Sequence, residues 1–176
     1  MNRSEAVKRR RGAAKRAPRA IGLMHSMVTV TIDELKGLVG HEIGVSEFLE
    51  ITQERISLFG EATDDRQWIH VDTRRAGRES PYGGTIAHGF LTLALIGEFT
   101  RQVLNVTDAR LRVNYGLDRV RFPSAVRSGS RVRGRVAVDS ADEIPGGRQV
   151  KFLVTVELEG ASKPACFAEF LVRYLL

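Results

Sequence analysis

The sequence predicts an α+β protein in which a curved antiparallel sheet wraps around one long, buried α-helix. Three observations carry that expectation. Residues 87–104, "AHGFLTLALIGEFTRQVL", form a helix-length run whose first half is apolar nearly all round: Phe90, Leu91, Leu93, Ala94, Leu95 and Ile96. A helix without a polar face is buried on most sides. After it the period changes. "LRVNYGLDRVRF", "SRVRGRVAVDS", "RQVKFLVTVELEG" and "PACFAEFLVRYLL" are strand-like runs, rich in Val and Phe and separated by turn residues. With a further strand near residue 41, the chain has too many strands for a small helical bundle. Its 176 residues, 43% of them hydrophobic, suffice for one sizeable core.

Each element follows from local chemistry. "TIDELKGLVG", 31–40, reads as a short helix with Thr31 as cap and Gly40 as stop. "HEIGVSEFLEIT" reads as a strand. "TQERISLFGEATDD" reads as a helix capped by Thr52, with Ile56, Phe59 and Ala62 as its apolar stripe. "RRAGRESPYGGT" reads as a loop, rich in Gly, Pro and Ser. The helix over 87–104 would be about 27 Å long at ~1.5 Å per residue. "GRVAVDSADEIPGGRQVKFLVTVELEG" reads as an antiparallel hairpin bending at "PGG". In the last run Cys166, Ala168, Phe170 and Val172 share one face and Glu169 and Arg173 the other, so Cys166 reads as core rather than nucleophile.

Charge is unevenly distributed. The chain carries +6 in all, and residues 1–20 hold eight bases against one acid, net +7, which leaves the other 156 residues at −1. A nucleic-acid-binding body shows a basic face, and a near-neutral body gives no hint of one. Residues 1–26 read as a disordered basic extension, or as an over-long reading of the start, and 27–176 as a single domain. "AIGLM" is too short for the apolar stretch of a signal peptide. No apolar run approaches the ~18–20 residues of a membrane span. The single cysteine allows no internal disulfide and no cysteine metal cluster.

The phosphate-cradling glycine motifs and G-x-S-x-G are absent. What stands out instead is "TDDRQWIH", 63–70, followed by "TIAHGFL", 85–91. Asp65 and His70 are five positions apart and would point about 140° apart on one continuous helix. For both to face one substrate, the helix must end between them and the chain must turn, with "RQWI" a credible place. Carboxylate and imidazole then hold one water between them, one accepting its proton and the other orienting it. A helix starting near residue 87 offers backbone N–H groups at a positive dipole end, and Gly89 lets a ligand carbonyl approach closely. Water, base and oxyanion donor suit addition of water to a double bond conjugated to a carbonyl. Asp65 alone reads more readily as a solvated helix-end acid; with His70 and Gly89 beside it, catalysis is the favoured reading. His88 reads as a structural hydrogen-bonder, and Trp68 as core or pocket wall. A metal held by His70, Asp72 and His88 is conceivable, but no compact ligand motif supports it, and no metal is expected.

"DDRQWIHVD…TIAHGFL" resembles the MaoC-like dehydratases, the (R)-specific enoyl-CoA hydratases of hot-dog fold, and most of all their nodulation-protein-N-like branch. "NYGLDRVRFPSAVRSGSRV" resembles the strand and turn that follow. The likeness covers about residues 28–176. It implies Asp65 and His70 as the catalytic dyad, Gly89 N–H as the donor to the thioester oxygen, and Gln67 and His88 in support. The family signature, Asp-x-Asn-Pro-x-His, has Asn-Pro where this chain has Gln67 and Trp68, and Gly where it has Asp64. Gln67 keeps the amide and adds a methylene.

The implied activity is reversible hydration of trans-2-enoyl-CoA to (R)-3-hydroxyacyl-CoA in fatty-acid metabolism, with CoA as carrier and no further cofactor. Arg119 and Arg121 could meet CoA phosphates or be solvated strand arginines. The resemblance also implies a cytoplasmic homodimer, with no nucleic-acid partner. Because hot-dog folds host other chemistry, two alternatives stay open: a thioesterase using a helix carboxylate such as Glu98, and a non-catalytic acyl-thioester-binding subunit.

Overall fold

The computed structural model describes residues 19–20 and 27–176. The expected boundary between extension and domain falls largely outside the described residues. Within the extension, Arg19–Ala20 form a two-residue strand (β1). The rest of the described chain runs β2 (Val28–Val30), a 3-10 helix (Glu34–Leu38), β3 (His41–Val45), β4 (Leu49–Glu50) and α1 (Gln53–Thr63). Then come α2 (Trp68–Val71), α3 (Thr73–Glu79), α4 (Gly89–Ala94), α5 (Ile96–Val103), β5 (Leu104–Val106) and β6 (Leu111–Arg121). The chain closes with β7 (Arg131–Ile144), β8 (Gly147–Leu158) and β9 (Cys166–Leu175).

The main sheet has the order β1-β3-β7-β8-β9-β6, with β4 also pairing with β7. All its pairs are antiparallel except β1 with β3. β2 and β5 form a separate parallel pair. Residues alternate in and out along β8 and β9, as period-two patterning requires, and Cys166, Ala168, Phe170 and Val172 are all buried. Burial pushes the Cys166 thiol up to about 11, which leaves it an inert core residue. The β7–β8 hairpin turns between Ile144 and Gly147, within "PGG".

α5 lies against β3, β7 and β8, and α4 against β9, so the helical segment crosses the inner face of the sheet. Phe99, 0% exposed, is its central anchor. Gly134 on β7 makes room for it, since a Cβ there would sit 2.5 Å from Phe99 Cβ.

The structure corrects several local expectations. The single helix over 87–104 is two helices interrupted at Leu95, and Leu104 already belongs to β5. Phe90, expected in the core, is 70% exposed, and Ala94 is exposed as well. The expected loop after residue 73 contains α3, capped by Asp72, whose carboxylate accepts from Arg75 N–H (2.8 Å). Thr31 does not cap: Asp33 holds that position, and Thr31 donates both its N–H and its hydroxyl to the Glu34 carboxylate. Thr52 caps α1 as expected, accepting from Arg55 N–H, but the buried stripe is Ile56 and Gly60, while Ala62 is exposed.

Candidate active site

α1 stops at Asp64, whose φ of 57° is left-handed. Glycine adopts that conformation freely, and Asp and Asn tolerate it better than other residues. The reversal at Asp64 is why Asp65 and His70 no longer follow one helical track. The chain turns at Asp65, where Arg66 N–H donates to the Asp64 carbonyl (3.1 Å), and re-enters a helix at Trp68, placing His70 in the single turn of α2. Asp65 is exposed; His70 is only 8% exposed.

Three contacts hold His70. Its N–H donates to the Gln67 carbonyl (2.9 Å), and its own carbonyl accepts from Gln53 Nε2 (2.8 Å). Its Nδ1 lies 2.7 Å from the Ile86 carbonyl. A carbonyl only accepts, so Nδ1 carries the proton and Nε2 is left with a basic lone pair. Burial holds the imidazole below its ordinary pKa, while the Ile86 hydrogen bond opposes the shift, neighbouring His88 adds to it and Asp65 opposes it. His70 is thus neutral and ready to accept a proton.

The 85–88 segment completes the cluster. Ile86 N–H donates to the Ile69 carbonyl (3.1 Å) and Ala87 N–H to the Val126 carbonyl (2.7 Å), which fixes the strap beside α2. Thr85 Oγ1 donates to Gln53 Oε1, and the same amide holds His70. His88 stacks on His70, with ring centroids 3.8 Å apart. Atoms of Asp65, His70 and His88 that could ligate a metal lie within 4.8 Å of one another. One nitrogen of each imidazole already bonds a main-chain carbonyl. Asp72, grouped with the histidines from sequence, serves α3 instead.

Gly89 opens α4 directly after His88, so its N–H has no partner within the helix. A Cβ on Gly89 would meet the Phe122 ring at 3.2 Å, a tight contact that the ring would have to yield to. Gln67 is exposed and makes no side-chain cap; what it supplies to the dyad is its carbonyl. Trp68 is half-buried under the Arg75 guanidinium, 4.3 Å from the ring centroid. Arg119 and Arg121 stand exposed on β6, Arg121 donating to the adjacent Val120 carbonyl (2.7 Å). Sequence reasoning missed Gln53, Thr85 and Gly60. Only Gly60 left a signal, as a glycine inside a helical pattern.

Residues 35–161 match the model of the MaoC like domain. The chain is 45% identical over 146 residues to 3-hydroxyacyl-thioester dehydratase Z of Mycobacterium tuberculosis, covering 82% of this chain and 96% of that one. It is 44% identical over 147 residues to nodulation protein N of Rhizobium meliloti, covering 82% and 91%. Among solved structures it is similar to the (R)-hydratase from A. caviae involved in PHA biosynthesis, with TM-score 0.63 at 17% identity, covering 76% and 96%. The R-hydratase of Pseudomonas aeruginosa gives TM-score 0.60 at 23% identity, covering 73% and 77%. The structural likenesses show the hot-dog fold, in which the sheet lies along the central helical segment. Family model and sequence relatives together establish that this chain is a member of the MaoC-like family, a hydro-lyase.

Proposed function

We propose that the protein reversibly hydrates trans-2-enoyl-CoA thioesters to (R)-3-hydroxyacyl-CoA. The observation that carries this reading is the neutral His70, its Nε2 lone pair free, within reach of the Asp65 carboxylate. A water between them loses a proton to one group as its oxygen attacks the β-carbon. The same pair then delivers a proton to the α-carbon. The Gly89 N–H at the start of α4 receives the enolate oxygen that develops on the thioester carbonyl. No step draws on a metal or on any cofactor beyond the CoA carrier. A CoA-thioester substrate suits a cytoplasmic enzyme of fatty-acid metabolism.

Two other observations bear on the reading. Glu98, the carboxylate a thioesterase would use, is engaged by Arg101 (2.9 Å) and by Gln102 (3.1 Å). These contacts hold it below the usual carboxylate range, the Gln102 bond first and the Arg101 bond next, and make it a weaker base. On assembly, β6 is the end strand of the sheet and exposes Leu111, Val113, Tyr115 and Leu117. A long apolar edge of this kind needs cover, which supports a homodimer formed through β6.

Incubation with crotonyl-CoA tests the reaction. Loss of enoyl absorbance without release of free thiol is the expected result. Thiol release would mean a thioesterase, and no change a binding subunit.

A further inference from the structure

One side chain touches both members of the dyad. His88 is 2% exposed. Its Nε2 lies 2.9 Å from the Asp65 main-chain carbonyl and, facing an acceptor, carries the proton. Its ring stacks on His70 at 3.8 Å with an interplanar angle of 28°. Phe59 packs on it as well, tilted by 49° at 5.1 Å. Its Nδ1 is buried without a hydrogen-bond partner among the described residues. Gly60 provides the space: a Cβ there would lie 3.4 Å from His88 Cε1 and 2.9 Å from the Asp65 carbonyl oxygen.

Asp65 needs such a restraint. It is exposed, and it follows the left-handed Asp64 where α1 has already ended. Its main chain is tied inward by the His88 contact. His70, by contrast, is fixed by its own turn and by Ile86. The relative placement of carboxylate and imidazole therefore passes through His88.

We propose that His88 is a positioning residue, which sets the Asp65–His70 separation by holding the main chain of one and the ring face of the other. This rests on the hydratase reading. The imidazole itself neither gives nor takes a proton in the reaction.

Two variants separate the contacts. His88→Phe keeps a stacking ring and removes the donor to Asp65. His88→Gln removes the ring but can place an amide N–H near the Nε2 position. Displacement of a reacting group by as little as 1 Å can cost about a hundredfold in rate. With crotonyl-CoA, kcat of His88→Phe should fall by about tenfold to a hundredfold with KM little changed. His88→Gln should recover most of that loss, whatever the order of the two melting temperatures. Equal losses in both variants, a greater loss in His88→Gln, or no loss in His88→Phe would overturn the proposal.

A second readout does not need turnover. In crystal structures of the variants the Asp65 main chain should stand displaced from His70 in His88→Phe and return to its wild-type place in His88→Gln; an unmoved Asp65 in His88→Phe would overturn the proposal. Inactive wild-type protein would refute the hydratase reading alone, and the position of Asp65 in the variants would still decide the role of His88.

Discussion

His70 owes its chemistry to where its two ring nitrogens point. Nδ1 faces the Ile86 carbonyl, so Nε2 would be the base in the proposed reaction, and burial lowers the pKa of the ring. Protonation would remove the base, so activity falls as pH drops through the His70 pKa. Because that pKa is depressed, the acid limb of kcat/KM should lie below the ordinary histidine value of about 6.5. A limb above it would contradict the burial argument. Asp65→Asn and His70→Gln keep shape and remove proton transfer, and each should lower kcat by about 10²–10⁴-fold. The double variant should cost little more than the worse single, since both groups act on one water. Asp64→Asn is the control. Asp64 is exposed and lies 3.9 Å from Arg66, and steady-state rates near wild type are expected. Full loss in Asp64→Asn with a normal Asp65→Asn would move the site by one residue. That α1 must end between Asp65 and His70 was legible, because five positions on one helix would point the two apart. Gln53 and Thr85 were not, because their roles exist only once α1, α2 and the strap at 85–88 are packed together.

The elements show where local sequence speaks for itself. The Thr52 cap and the β7–β8 bend were legible because capping and turn chemistry are local. α3 was missed because it contains Gly77 and runs straight into Ser80 and Pro81, a composition that resembles a loop. Its true signals were the Asp72 cap and the Arg75–Glu79 pair four residues apart (2.8 Å). The interruption at Leu95 has no Gly or Pro to announce it. Gly60 gives the sharpest test at this scale. In a free helix Gly→Ala would stabilise by up to ~1 kcal/mol, about 2–4 °C in melting temperature for a chain of this size. Here the added Cβ would sit 2.9 Å from the Asp65 carbonyl oxygen. Gly60→Ala should therefore lose tenfold or more in kcat with no gain in melting temperature, read by calorimetry beside the assay. A more stable and fully active variant would show that α1 does not support the site.

At the scale of the molecule, the sheet-and-helix architecture was legible from two periods: a helix-length apolar run and four alternating strands. The exposure of Phe90 was not, because burial of a helix face depends on what covers it. Phe90 instead meets Phe122 edge-on at 6.3 Å, near the apolar outer edge of β6. Those residues, with Leu111, Val113, Tyr115 and Leu117, are exposed apolar groups that the proposed homodimer would cover. Light scattering should report a dimer at micromolar concentration, and Leu117→Lys should shift it toward monomer. A monomeric wild type would contradict assembly through β6. The central claim is that the Asp65–His70 pair adds water to an enoyl thioester from one fixed face. Its most direct test is chiral analysis of the product formed from crotonyl-CoA by the wild-type protein. The expected product is (R)-3-hydroxybutyryl-CoA, lost together with turnover in Asp65→Asn. Formation of the (S) product, of a racemate, or of free CoA would contradict it.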